Sequence, residues 1–486
     1  MVSIIISFFF TPYLISMLGK EQYGLWTLVF SLLAYIRLAD AGMQQSLVRY
    51  VSKFFATKQW DKLNQVISSS AYLYTYVASA TLLAGVVIAL FFVEYLKIPP
   101  ESVMTAKIVL LILAANQAIY FITMPFCALG AFHRFDIVNY FIIGNNILQT
   151  LGIIFLLESG LGLVEMAALI LILNVIGIAW RTKIRMDLFP EAKFSRSLID
   201  KTTAKQLINY GVYSFLIVIA WTVIYQTDNI VIGAFISTEA ITLYSVSAMI
   251  VIQLRTSITS IAIPLVSTIS HYEALQDYAK IMSIYSRSMR YLYYISAFLC
   301  IIMFFFGGPF ILLWVKKDFI DSIIILKILM FGAVFSFPHN ITNSVLYGIS
   351  KHRIAFFILG AEALANIILS VILVHSRGIV GVALGTAIPQ LIIYIFIFPV
   401  VFYRTMGAKV KDFYVDAAAS SLKAIVLLLP SSYIIYELID PNSWPTLILD
   451  CTIVTIIMAV GFWVFILEKD IRMLVISKIK ARLGRA

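Results

Sequence analysis

YLYYISAFLCIIMFFFGGPFILLW, residues 291–314, runs without a charge from Arg290 almost to Lys316. As an α-helix it rises about 1.5 Å per residue, and roughly 20 residues cross the ~30 Å of bilayer hydrocarbon. A helix in a water-soluble core carries one apolar stripe, whereas this stretch is apolar on every side. It reads as a transmembrane helix. Working outward, fourteen such segments are expected, at about 1–19, 23–46, 69–93, 103–127, 137–157, 161–180, 207–233, 239–264, 290–314, 322–346, 354–374, 379–402, 418–438 and 445–467. The expected fold is therefore an all-α, multi-pass membrane protein.

Composition agrees. The 486 residues are 61% hydrophobic and 13% charged, with 14% aromatic residues suited to lipid contact and interfacial belts. Mean hydropathy is +0.96. The formal charge of +11 forms no basic stripe and accompanies no zinc-finger spacing, so nucleic acid is not an expected partner. Cys127, Cys300 and Cys451 lie far apart inside apolar stretches and read as small packing residues. Met1 opens into an apolar run without a basic lead or a small-residue cleavage site, so a cleaved signal peptide is not expected.

Orientation follows from lysine and arginine. With the N-terminus on the cytoplasmic side, 26 basic residues fall in cytoplasmic loops and tails and six on the opposite side. Both termini are therefore expected in the cytoplasm of a bacterial or archaeal cell, with the chain in its cytoplasmic membrane.

The chain also repeats itself. A shift of 218 residues lays LGKEQYGLW (18–26) on ISTEAITLY (236–244). It also lays Leu47, Val48, Ser52, Lys62, Ser68 and Ser70 on Leu265, Val266, Ser270, Lys280, Ser286 and Ser288. At nearly the same offset, the short basic loop with Arg134 meets the loop with Lys351. Six helices per repeat return the chain to its starting side, so the lobes are expected to be parallel repeats about an axis along the membrane normal. The expected divisions are an N-terminal lobe with its linker at 1–205, a C-terminal lobe at 206–403, and two further helices with a basic tail at 404–486. Segments 53–66 and 271–286 read as interfacial amphipathic helices, and the tail from Glu468 suits anionic membrane lipids.

Six plus six plus two helices, with Gly19, Tyr23, Gly24, Leu25 and Trp26 after the first, resemble the polysaccharide transporter family. LADAGMQQSLVRYVSKFFATKQWDKLNQVISS (38–69) resembles that family's second helix and first cytoplasmic loop, where an Asp-x-Gly step leads into a basic amphipathic segment. The family includes O-antigen and oligosaccharide flippases and belongs to the superfamily of multidrug antiporters and lipid II flippases. The resemblance implies a substrate, a polyprenyl-pyrophosphate-linked oligosaccharide, carried from the cytoplasmic to the outer leaflet by alternating access. Polysaccharide polymerase and assembly proteins are the implied partners. Family members usually carry a cytoplasmic lead-in before the first helix, so the natural start is expected upstream of Met1.

Charged side chains inside membrane spans are costly and invite functional explanations. Arg37 and Arg255 differ by the repeat offset and are expected to bind substrate phosphate, because guanidinium stays charged when desolvated and forms paired bonds to phosphate oxygens. Asp40, one turn from Arg37, either joins that site or neutralises the arginine. Lys327 and His339 are further substrate-side candidates, with Asn340 and Asn343 beside them. Asp228, Glu362, Asn366 and Thr386 offer hard oxygen ligands for Na⁺ or a proton, and resemble the ion site of lipid II flippases. No catalytic group and no other metal or cofactor site is expected. The glycines of GIVGVALG (378–385) lack phosphate-loop spacing and read as close helix packing.

Three other functions compete, of which a non-transporting membrane scaffold would not require buried charges at repeat-related positions. A multidrug antiporter would want an acidic cavity, whereas the symmetric feature here is a pair of arginines. A membrane glycosyltransferase or polymerase would want catalytic groups on sizeable outer loops, and the loops here are short.

Overall fold

The computed structural model describes residues 2–483 and is helical almost throughout, with no strand among the described residues. Arg485, the last basic residue of the tail, lies outside the described residues. Two compact units divide the chain at Ser245/Val246. The first contains α1 (Val2–Ile36), α2 (Met43–Ala56), α3 (Trp60–Val87), α4 (Pro100–Cys127), α5 (Phe135–Glu158), α6 (Leu163–Leu188) and α7 (Lys201–Phe235). Helix α8 (Thr238–Ala262) begins in it and ends in the second unit. The second continues with α9 (Leu265–Ala274), α10 (Tyr278–Val315), α11 (Ile320–Ser336), α12 (Asn340–Gly348) and α13 (His352–Ile392). Helices α14 (Phe398–Thr405), α15 (Val410–Ile439), α16 (Trp444–Gly461) and α17 (Lys469–Leu483) complete it.

Eleven described helices are long and apolar enough to cross a membrane, or twelve if the pair Ile6–Asp40 and Met43–Ala56, bent by 48°, is one span. The difference from fourteen lies at two glycines. Expected segments 354–374 and 379–402 share the continuous helical run His352–Thr405, turned at Gly378 with φ +56°. Segments 1–19 and 23–46 share the bent pair, whose first helix is broken at Gly19 with φ +74°. A single glycine in the left-handed region redirects the axis without a loop, so an apolar run conceals the boundary.

Local chemistry starts the helices. Asp200 accepts the Thr203 amide at 2.7 Å to begin α7, and Asp277 accepts the Lys280 amide at 2.9 Å to begin α10. Much of the surface is apolar: Phe155 and Phe357 are each 71% exposed, as lipid-facing residues are. In the first unit, Leu47, Leu63, Tyr74, Phe121 and Phe132 knit α2, α3 and α4 together. In the second, Tyr294, Phe306, Leu428 and Val454 join α10, α15 and α16.

The repeat is present in the backbone. Lys58 and Gln276, 218 residues apart, both take positive φ, 55° and 56°, in the turns before α3 and α10. His133 and Ser350 do the same at 61° and 57° before α5 and α13, and Gly160 and Gly378 at 76° and 56°. One side-chain bond recurs too: Ser52 donates to the Ala131 carbonyl at 2.7 Å, and Ser270 to the Gly348 carbonyl at 3.1 Å. Each ties a short helix to the chain just before a later long one, α2 to the approach to α5 and α9 to the approach to α13.

Candidate functional site

In the first unit α1 tightens into a 3₁₀ turn at Arg37–Asp40, and Ala41 and Gly42, at φ 48° and 75°, swing the chain into α2. This turn presents Arg37 and Asp40 together, yet they form no ion pair. Asp40 accepts the Tyr74 hydroxyl at 2.8 Å and the Gln44 amide at 3.3 Å, so its charge serves the start of α2. Arg37 donates from Nε to Gln117 Oε1 at 3.0 Å. Its two terminal nitrogens bond to no protein group among the described residues.

Arg37 borders two cavities. One, of about 590 Å³, is lined by Arg37, Asp40, Gln44, Gln45, Arg49 and Phe215 among others. The second, of about 420 Å³, shares Arg37, Asp40 and Gln44 and adds Asn116, Gln117, Asn145 and Asn174. Both volumes lie in the range of small-molecule sites, about 300–1,000 Å³. Two arginines at one cavity can receive a doubly charged phosphate group. Sequence reasoning counted Arg49 only for topology and passed over the amides. The available signal was carboxamides interrupting apolar helices, as Asn116 and Gln117 do in α4, Asn145 in α5 and Asn174 in α6.

Asp228 also belongs to the first unit. It accepts the Tyr244 hydroxyl, while its neighbours Thr227 and Asn229 bond to Tyr35 and Ser31 of α1. Three consecutive residues of α7 thus hold α1 and α8.

The remaining candidates lie in the second unit. Glu362 is buried and accepts the Tyr394 hydroxyl at 2.7 Å, with Gln390 and Arg255 as further electrostatic neighbours. One turn along, Asn366 donates to Thr386 Oγ1 at 2.8 Å, and Ser370 approaches the Val382 carbonyl at 3.5 Å. Glu362, Asn366 and Ser370 recur every four residues on one limb of α13, and Thr386, Gln390 and Tyr394 recur likewise beyond Gly378. Together they make a polar ladder between two limbs. Its closeness requires glycine, since a Cβ at Gly385 would stand 2.3 Å from Ser370 Oγ and 2.6 Å from the Ser370 amide nitrogen.

His339 lies in this unit's core with no exposed surface. Its Nδ1 pairs with Thr342 Oγ1 at 2.9 Å and its Nε2 with the Tyr394 carbonyl at 3.1 Å, and its ring stacks on Phe398. Tyr394 falls in a π-helical turn, Ile393–Ile397, where the altered bonding pattern frees carbonyls for such contacts. Lys327 lies apart from the ladder, its ammonium 4.6 Å from the centre of the Phe304 ring, beside a cavity of about 400 Å³ that Lys317 also lines. Of the expected site residues, the structure thus joins Asn366 to Thr386 directly and sets Arg255 near Glu362. Arg37 and Asp40 share cavities, while Asp228, His339 and Lys327 each have other neighbours.

Comparison with known proteins fits this architecture. The family model described as "Polysaccharide biosynthesis protein" matches residues 1–273. A putative O-antigen transporter of Shigella flexneri is 21% identical over 374 residues, covering 76% of this chain and 87% of that protein. The lipid II flippase MurJ, in an inward closed conformation, superposes with a TM-score of 0.74 at 15% identity, covering 95% of this chain and 98% of the other. An inward-facing multidrug resistance transporter of the MATE family gives a TM-score of 0.66 at 15% identity, covering 82% of this chain and 94% of the other. The fold is theirs.

Proposed function

The chain belongs to the polysaccharide biosynthesis protein family, and from that premise we propose that it is a flippase, not an enzyme, for a polyprenyl-pyrophosphate-linked oligosaccharide. It moves this lipid from the inner to the outer leaflet of the cytoplasmic membrane by alternating access, with both termini cytoplasmic. The O-antigen transporter and lipid II flippase among the similar proteins support the substrate class. The observation that carries the reading is Arg37, whose terminal nitrogens have no protein partner among the described residues and whose cavity also contains Arg49. A multidrug cation would find no such welcome there, because the one carboxylate, Asp40, is already bonded by Tyr74 and the Gln44 amide.

Arg37 is the proposed pyrophosphate ligand of the first unit, with Arg49 as a second cation at the same cavity, and its repeat counterpart Arg255 is proposed as a phosphate-binding residue of the second unit. A pyrophosphate leaving water must regain its lost hydration, and a hydrogen bond to a charged group contributes roughly 1.5–3 kcal/mol. Asp228, Glu362, Asn366 and Thr386 are the proposed route by which a Na⁺ or proton gradient drives the cycle. Polymerase and assembly proteins would receive the exported lipid, and the basic tail would lie on anionic membrane lipids.

The test is export in cells. Arg37→Ala and Arg255→Ala are each expected to insert normally, to block export, and to leave the lipid-linked precursor on the inner leaflet. Lysine at either position restores export only in part, because the paired geometry is lost. Normal export by both alanine variants at native expression would remove the phosphate assignment. Normal export of all lipid-linked oligosaccharides in cells without the protein would remove the flippase reading itself.

A further inference from the structure

The 420 Å³ cavity of the first unit has an unusual wall for a protein in lipid. Five carboxamides line it, Gln44, Asn116, Gln117, Asn145 and Asn174, together with Arg37. Buried amides are costly in hydrocarbon, and helix-to-helix bonding is their ordinary explanation. That explanation accounts for only part of this group. Asn174 donates to Asn116 Oδ1 at 2.7 Å, and Gln117 accepts from Arg37 at 3.0 Å. Asn145 bonds to no protein group among the described residues, and neither the Asn116 amide nitrogen nor the Asn174 carbonyl oxygen has a protein partner. None of these atoms is both buried and unpaired, so they face the cavity.

The lining selects its ligand by exclusion. An acyl chain would want apolar walls. A cationic drug would want a carboxylate with spare oxygens, and those of Asp40 are engaged. An acidic sugar would compete with the pyrophosphate for Arg37, the one cation bordering this cavity among the described residues. A carboxamide both donates and accepts, and so does a hydroxyl, so a set of amides matches a neutral polyhydroxylated ring. Tyr120 and Phe121 add flat surfaces for the ring's C–H face.

We propose that this cavity is a subsite for a neutral sugar, the residue attached directly to the pyrophosphate. The inference rests on the flippase reading above and adds to it a position and a chemistry. Arg37 borders both cavities, so a pyrophosphate held by Arg37 and Arg49 on one side sets the adjoining sugar among the amides on the other.

The test uses the full chain in lipid nanodiscs and two probes: a short-chain prenyl pyrophosphate, and the same molecule bearing one N-acetylhexosamine. The sugar-bearing probe is expected to bind at least about 10-fold more tightly, the worth of one to three net neutral hydrogen bonds. In Asn145→Leu and in Asn174→Leu that ratio is expected to fall toward one. Asn145→Leu removes no protein–protein bond, so it keeps the test open if Asn174→Leu does not fold. Equal binding of the two probes by the unaltered protein overturns the sugar subsite and leaves the pyrophosphate reading standing. A ratio undiminished in a folded variant overturns it equally. If neither probe binds the unaltered protein, the lipid-linked reading fails and the subsite fails with it.

Discussion

The two units repeat their backbone and invert their polarity. Positive φ at Lys58 and Gln276, and again at His133 and Ser350, places the same turns before the same helices. The polar side chains of the ladder and of the cavity do not follow. Glu362, Asn366 and Ser370 stand 218 residues after Gly144, Leu148 and Gly152, and Thr386, Gln390 and Tyr394 stand at the same offset after Ala168, Ile172 and Ile176. Conversely Asn116, Gln117, Asn145 and Asn174 fall on Val334, Phe335, Ala363 and Ile392. Of the candidate site residues, Arg37 and Arg255 alone recur. One unit therefore turns its polar groups inward, where they bond to each other, and the other turns them to a cavity, where several remain unspent. A shared scaffold needs only backbone turns and apolar packing, so each unit is free to place chemistry on a different helix face.

The largest effect that bears on this contrast is on the driving gradient. Ladder groups that serve ion coupling should be indispensable to energy use yet dispensable to sugar recognition. Glu362→Gln is expected to remove the response of transport to imposed Na⁺ and proton gradients while the protein stays folded, and Asp228→Asn to do the same from the first unit. Flux measured in reconstituted vesicles decides it. A normal gradient response in both variants returns these residues to a structural role, in which the Tyr394 and Tyr244 hydroxyls simply bind helices together.

A second comparison sets an amide bonded to a neighbouring side chain against one that bonds to none among the described residues. Asn366→Leu removes the amide donor to Thr386 inside a buried contact and is expected to cost about 1–3 kcal/mol. Asn145→Leu breaks no protein bond and is expected to change stability by no more than about 0.5 kcal/mol. Thermal unfolding in detergent, followed by intrinsic fluorescence, reads both. Equal losses would mean that the cavity amides also hold the fold together, and the contrast between the units would collapse.

The repeated scaffold was legible in the sequence because it is written in strong signals. Long apolar runs mark helices, and Ser52 with Ser270 marks the repeat. The joints were harder. Gly19 and Gly378 bend helices inside continuous apolar sequence, and no polar break announces them. The site was legible where it is charged and obscure where it is neutral. Arg37 stands out in any apolar helix, whereas Asn145 and Asn174 acquire meaning only when α5 and α6 bring them to one cavity with α4. Likewise an i,i+4 pair such as Glu362 and Asn366 announces a shared face, but its partners Tyr394 and Thr386 come from beyond a turn that periodicity does not reveal.

The smallest expected effect tests what the units share. Ser52 and Ser270 make equivalent bonds, but the first is shorter, 2.7 Å against 3.1 Å. The net worth of such a bond is about 0.5–1.5 kcal/mol, because the unfolded chain recovers part of it with water. Each also leaves a carbonyl behind when removed, that of Ala131 or of Gly348, which sits in the turn before a long helix. Ser52→Ala and Ser270→Ala are therefore both expected to lower the melting temperature slightly, with Ser52→Ala the larger, and each to loosen its own turn. Amide hydrogen exchange separates the two: faster exchange near His133 in the first variant and near Ser350 in the second, with the other turn unchanged. Should Ser52→Ala speed exchange in its turn while Ser270→Ala leaves Ser350 untouched, the bond in the second unit is incidental. The repeat would then rest on the backbone turns alone, and the units would differ in their joints as well as in their chemistry.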